Sequence, residues 1–234
     1  MIDRRTFARA SLVAVSAALL LLAAGAFSRT GRGGAIAQGL LRLVHGGCPF
    51  GYDQTPSPAQ RELARAKFAI THRDRRRAAA RPALGFTLDR STRRQVIEQM
   101  AAWGVHCENG RGWSDLTCFH VPSAALPGAV SAAAERSLWF TFGTRDQLLT
   151  VIAISRDVNP VAIADAFASA QNTLSRQAGG ATTVTGSADS QTLARGLLSQ
   201  ASAEFRFHDY YALERVANMG TSYVLTEEYR SLPD

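Results

Sequence analysis

Apolar and polar residues alternate with a period that changes several times along the chain, and each change marks an element. Ser57-Pro58-Ala59-Gln60 supplies an N-cap hydroxyl, a proline at the first helical position and a glutamine spaced to return a hydrogen bond. The helix it opens is expected to run to about Ala80. Its apolar face of Leu63, Ala66 and Ile70, with Phe68 nearby, is thin, so it is expected to lie on the domain or along a membrane surface. A second helix follows Ser91, with Val96, Ile97, Met100 and Trp103 at helical spacing and Gly104 placed to end it. A third starts at Asn159-Pro160, carries Ile163, Phe167 and Leu174 on one face and stops at Gly179-Gly180.

Between the second and third helices the period drops to two. Residues 105–108 and 116–121 predict one hairpin, and residues 138–142 and 147–155 predict another around Gly143-Thr144-Arg145-Asp146. Residues 203–216 and 222–230 predict a long third hairpin around Asn218-Met219-Gly220. The small, polar stretch 181–189 predicts a loop. Together these give an α+β fold, a single antiparallel sheet of about six strands packed by helices on one face. Within Phe205-Arg206-Phe207-His208-Asp209-Tyr210-Tyr211, alternation assigns Phe205, Phe207 and Tyr211 to the core and leaves Tyr210 on the other face as a candidate contact residue.

The N-terminal pattern is of another kind. A basic stretch containing Arg4, Arg5 and Arg9 precedes the uncharged run 11–27, the two physical parts of a secretory signal. Arg4-Arg5-Thr6-Phe7-Ala8-Arg9 resembles a twin-arginine export signal, with Asp3 and Ala8 departing from the usual pattern. Residues 1–37 are therefore expected to be an export signal or membrane anchor. Residues 38–56, rich in Gly and Pro, read as a linker, residues 57–83 as a basic helix, and residues 84–234 as the α+β domain. The mature protein is expected in the periplasm or secreted, or alternatively held at the inner membrane by residues 11–27.

The formal charge of +7 changes meaning once it is divided along the chain. Residues 61–94 hold eleven Arg or Lys against Glu62, Asp74 and Asp89, whereas residues 95–234 carry a net −5. The folded part is mildly acidic behind a basic shoulder, and with export this argues against a nucleic-acid partner. Arg73, Arg75, Arg76 and Arg77 are candidates for contact with anionic lipid headgroups or an acidic partner, against the alternative of a solvated helix face.

Cys107 and Cys118 fall in the two strands of the first hairpin. In an oxidising compartment, neighbouring strands bring such thiols within bridging distance, so a disulfide is expected. His106 and His120 flank the pair, but alternation sends His106 to the face opposite Cys107, which disfavours a metal site. No zinc-protease motif, nucleophile elbow, Cys-x-x-Cys pair or phosphate-cradling loop occurs, and no cofactor is implied. A dyad of His208 and Asp209 is disfavoured because neighbouring strand residues face opposite ways.

Thr92-Arg93-Arg94-Gln95-Val96 on a helix, then Cys107, a Gly-containing loop, Cys118-Phe119-His120-Val121 and later Leu138-Trp139-Phe140-Thr141 resembles one repeat of the β-lactamase inhibitor protein family. The helix-helix-strand layout is also similar to that of the small lipoproteins of outer-membrane β-barrel assembly. The resemblance covers about residues 84–155. The inhibitors carry two repeats, whereas the C-terminal half here has no second cysteine pair, and the lipid-bearing cysteine of the assembly lipoproteins is missing. It implies a non-enzymatic module that binds a protein partner in the envelope through its sheet, with Trp113, Phe119 and His120 as further candidate contacts. The alternative expectation is an extracytoplasmic enzyme or small-ligand-binding protein, which requires a concave pocket with convergent polar groups.

Overall fold

The computed structural model describes residues 56–110, 115–126 and 135–233, all within one compact unit that begins at Asp53. The expected signal or anchor, the linker as far as residue 55, Cys48 and Trp113 lie outside the described residues. No helix among the described residues is long and apolar enough to cross a membrane.

Local chemistry sets the helix ends. Helix α1 (Pro58–His72) begins in a capping box between Ser57 and Gln60, with Pro58 in the first turn. Helix α2 (Arg93–Ala102) has a second box between Thr92 and Gln95. It stops in a Schellman arrangement, in which Gly104 N–H donates to Ala101 O at 2.9 Å and Val105 N–H to Met100 O at 2.9 Å. This end needs Gly104 at φ +72°, where a Cβ is unfavourable, and it brings Val105 and Met100 together in the core. Helix α3 (Pro160–Gln177) is capped by Asn159, whose side chain accepts from Val161 N–H and Ala162 N–H. Helix α4 (Ser190–Arg195) is a short turn capped by Asp189.

Eight antiparallel strands form one sheet: β1 (Cys107–Asn109), β2 (Leu116–Cys118), β3 (Glu135–Phe142), β4 (Leu148–Asp157), β5 (Thr183–Thr185), β6 (Gln200–Arg206), β7 (Tyr210–Asn218) and β8 (Tyr223–Ser231). Their spatial order is β1-β2-β3-β4-β8-β7-β6-β5. Among the described residues the sheet therefore has eight strands where about six were expected. Two differences account for it. The stretch 203–216 breaks at Phe207-His208-Asp209 into β6 and β7, and the expected loop 181–189 contains β5, paired with β6 through Val184 and Ala203.

That order consists of two meanders joined along their last strands. Each begins with a helix, α2 before β1–β4 and α3 before β5–β8, and β4 meets β8 at the centre. The sheet's inner face bears the main core: Val96 and Met100 of α2 and Ile163, Phe167 and Leu174 of α3 pack with Leu138, Phe140, Val151, Ala203, Phe205 and Leu225. These are the helical stripes legible in the sequence.

Helices occupy both faces, not one. Ala69 and Phe68 of α1 form a separate cluster with Tyr211, Leu213 and Leu232, and the Arg230 guanidinium lies 4.4 Å from the Phe68 ring centroid. At its other end α1 is tied down by an ion pair between Arg61 and Asp115. The helix stops at His72, short of the expected Ala80, so Arg73–Arg77 belong to an irregular arm beyond the basic helix. The arm is held at the β6–β7 turn, where Asp74 N–H donates to Phe207 O at 3.3 Å and His208 N–H to Arg76 O at 2.7 Å. Past it the chain contributes Ala83, Leu84, Phe86 and Leu88 to the main core.

Candidate functional site

Strand alternation alone delivers a group of ionisable residues to the middle of the inner face. Arg136 on β3 shares that face with Leu138 and Phe140, and on β8 Glu227 lies between Leu225 and Tyr229. Register sets Glu227 opposite both Ala153 of β4 and Glu214 of β7. Arg136, Glu214 and Glu227 are 1%, 0% and 2% exposed, which for charged side chains requires partners. The neighbours Ala153, Ser155, Ala203 and Ala212 are small and leave these side chains room to meet.

Arg136 Nη2 donates to Glu227 Oε2 at 2.6 Å. The Tyr229 hydroxyl lies 3.0 Å from Glu227 Oε1 and 3.2 Å from Glu214 Oε1. One hydroxyl carries one hydrogen, so both contacts are hydrogen bonds only if one carboxyl is itself protonated. Burial, reinforced by the charge of Glu227, pushes the Glu214 carboxyl well above its ordinary value. Burial also raises Glu227, but Arg136 and the Tyr229 hydroxyl oppose that shift. Because Arg136 donates to Glu227, the arrangement that keeps both tyrosine contacts as hydrogen bonds puts the proton on Glu214. The chain runs from Glu214 O–H to the Tyr229 oxygen, from Tyr229 O–H to Glu227, and from Arg136 N–H to Glu227. Arg136 Nε and Nη1, Ser155 Oγ and Glu214 Oε2 make no hydrogen bond to protein atoms.

This network reaches a cavity of about 330 Å³. Glu227 and Tyr229 form its floor, the turn from Pro82 to Phe86 one wall, and Ala170, Thr173, Leu174 and Gln177 of α3 the other. The turn is tight, with Phe86 N–H donating to Ala83 O at 3.0 Å. Leu84 at φ +56° and Gly85 at φ +87° are both left-handed. Such a backbone costs Leu84 about 1–2 kcal/mol, and it holds the buried leucine against the cavity.

A larger groove of about 440 Å³ runs between α3 and the segment from Val184 to Ser190. Its Asp189 carboxyl is held well below the usual range by hydrogen bonds from Ser187 and Thr192, which is the work of a helix cap. The charged side chains lining that groove, Asp165 and Asp189, are exposed, whereas the smaller cavity has the buried Glu227 on its floor, so the smaller cavity is the chemically distinctive one.

The residues singled out in the sequence lie elsewhere. Cys107 and Cys118 are directly opposite across β1 and β2 and form the expected disulfide, with Cα atoms 4.1 Å apart. Phe119 is 44% exposed, and His120 is exposed in a left-handed conformation at φ +54°. Tyr210 is not on an outward face. The turn at Phe207-His208-Asp209 resets the alternation, so Tyr210 is fully buried, donating to Pro82 O at 2.5 Å, while Tyr211 faces α1. The same turn, rather than a strand, holds His208 and Asp209, and Asp209 Oδ1 accepts from Ala78 N–H at 3.2 Å. Arg75, Arg76 and Arg77 are exposed and Arg73 is half-buried; Arg76 stacks on Phe207 at 5.1 Å, and Arg77 lies 3.9 Å from Asp209.

Sequence reasoning missed Arg136, Glu214, Glu227 and Tyr229. A signal existed: each carboxylate and the arginine share a strand face with apolar residues two positions away. Among the described residues no group of three or more His, Cys, Asp or Glu side chains is arranged to hold a metal ion. No family model matches the chain, and no curated protein or solved structure shows significant similarity to it.

Proposed function

We propose that the protein is an exported, non-enzymatic binding module that holds a small ligand in the cavity between α3 and the Pro82–Phe86 turn. The observation that carries this reading is the meeting of a mostly apolar cavity with a buried ionisable network through Glu227 and Tyr229. Small-molecule sites combine an apolar lining with a few convergent polar groups in this way. Leu84 adds support, because local backbone strain concentrates at ligand-binding positions. The disulfide and the N-terminal pattern support residence outside the cytoplasm.

The test is a ligand-observed NMR screen of small apolar and amphipathic molecules against the full chain and an Ala170→Trp variant. Binding that is lost when the tryptophan fills the cavity, with the fold intact by circular dichroism, is the expected result. Equal binding to both proteins would place the site elsewhere.

A second reading, a module that binds an envelope protein, is favoured by the outer face of the sheet. Phe119 and Trp139 are 44% and 39% exposed there, where α1 does not cover the strands. The pairing of two meanders also supports likeness to the two-repeat inhibitor family. On this reading a partner recovered from envelope extract is lost when Phe119 and Trp139 are both changed to alanine. Retention by that variant counts against it.

A further inference from the structure

The network gives the cavity a chemical sign. Of its four members, Glu227 and Tyr229 line the cavity, whereas Arg136 and Glu214 do not. With Glu214 protonated, the single hydroxyl hydrogen of Tyr229 is directed at Glu227. The floor therefore presents acceptor lone pairs and no free donor. A carboxylate offers about four acceptor sites, and Arg136 and Tyr229 take one each on different oxygens of Glu227. The walls around it are mostly apolar, formed by Pro82, Ala83, Leu84, Phe86 and Leu174, with Thr173 and Gln177 as their polar side chains.

We infer that the ligand is a small molecule bearing a cationic, hydrogen-bond-donating head, an ammonium or amidinium, on an apolar body. The head sits on Glu227 and the body lies against Leu84, Phe86 and Leu174. This assignment rests on the cavity reading proposed above and specifies its chemistry. An anionic head would be brought against a buried carboxylate, and a wholly apolar molecule would desolvate the remaining acceptor sites of Glu227 without filling them. Arg136 already balances Glu227, and the structure holds a counterweight for a second cation: Glu214 carries a proton that it can release, restoring neutrality. The other titratable groups acting on this cluster are Tyr229 and Tyr210, both pushed well above the ordinary phenol range by burial, and Arg81, which acts on Tyr210.

Calorimetry on the full chain with benzylammonium, toluene and phenylacetate tests the assignment. Benzylammonium is expected to bind at least about tenfold more tightly than toluene, the scale of one charge-assisted hydrogen bond, with phenylacetate weakest. Glu227→Gln should abolish that preference while toluene binding persists. Toluene binding as tight as benzylammonium, or phenylacetate binding tighter than either, would overturn the cationic ligand while leaving the cavity reading in place. Failure of all three to bind would overturn both. The ranking on the native protein decides the matter even where Glu227→Gln does not fold, and a Thr173→Trp change that leaves benzylammonium binding intact would overturn the placement.

Discussion

The two halves of the sheet follow the same path, a helix and then four antiparallel strands, yet different chemistry secures them. In the first half β1 and β2 are three residues long, and the Cys107–Cys118 disulfide closes them. In the second, the edge strand β5 is equally short but has no covalent tie. A Thr185–Ser202 hydroxyl contact at 2.8 Å joins it to β6, and α4 adds Leu193 to the core. The central seam is tied by neither device: Arg136 of the first half is buried against Glu227 of the second. An edge can be closed by a local crosslink, whereas two meanders sharing one sheet need a long-range contact to fix their register. A buried charge pair does this because every other register leaves both charges unpaired.

The largest effect is therefore expected at the seam. Glu227→Ala leaves the Arg136 guanidinium buried without its carboxylate and should destabilise the fold by about 3–5 kcal/mol, read as a fall in denaturation midpoint. A loss below about 1 kcal/mol would show that the halves are registered by packing alone. Next comes the edge. Replacing Cys107 and Cys118 together with serine should cost about 2–3 kcal/mol for so short a loop, and peptide mapping without reductant should find the two cysteines linked. A variant as stable as the native protein would remove the contrast between the edges.

The proton on Glu214 offers a subtler test. Its folded value is raised, by burial first and then by the charge of Glu227, so its contribution is full below the unfolded carboxylate value and is lost as pH rises toward the folded one. Glu214→Gln removes that loss. The stability of the variant relative to the native protein should increase with pH above about 5, with a slope of up to about 1.4 kcal/mol per pH unit. Parallel melting curves from pH 5 to 9 would contradict the proton assignment. The smallest effects concern what the halves share. Thr92→Ala and Asn159→Ala each remove the cap of the helix that opens a half and should each cost about 1 kcal/mol. A much larger loss at one cap would show that the two helices are not equivalent supports.

Much of the fold was legible in local chemistry. Ser57, Thr92 and Asn159 cap helices whose starts follow from sequence alone, and Gly104 ends α2 as its position implies. The hairpin turn around Gly143 and Asp146 and the opposed cysteines follow in the same way, since a turn or a crosslink between adjacent strands depends on neighbours in sequence. Phe207-His208-Asp209 was not legible, because a three-residue turn inside an aromatic run looks like continued alternation, and the slip moved Tyr210 to the wrong face. The end of α1 escaped for a related reason. Arg73 to Arg77 are compatible with a helix, and contacts with the distant β6–β7 turn draw them away from one.

Sequence alone thus specified the starts of the three long helices, most of the strands, the turn around Gly143, the cysteine pair and the stripes of α2 and α3 that meet the core. All of these are written within short stretches of consecutive residues. The tertiary structure alone decided that two meanders meet through β4 and β8, that α1 covers the outer face, and that Arg136, Glu214, Glu227 and Tyr229 converge under a cavity. Arg136 and Glu227 are separated by 91 positions. Nothing in either segment specifies the other until register places both on the same face, and only burial then turns ordinary surface residue types into an ion pair and a carboxyl that keeps its proton.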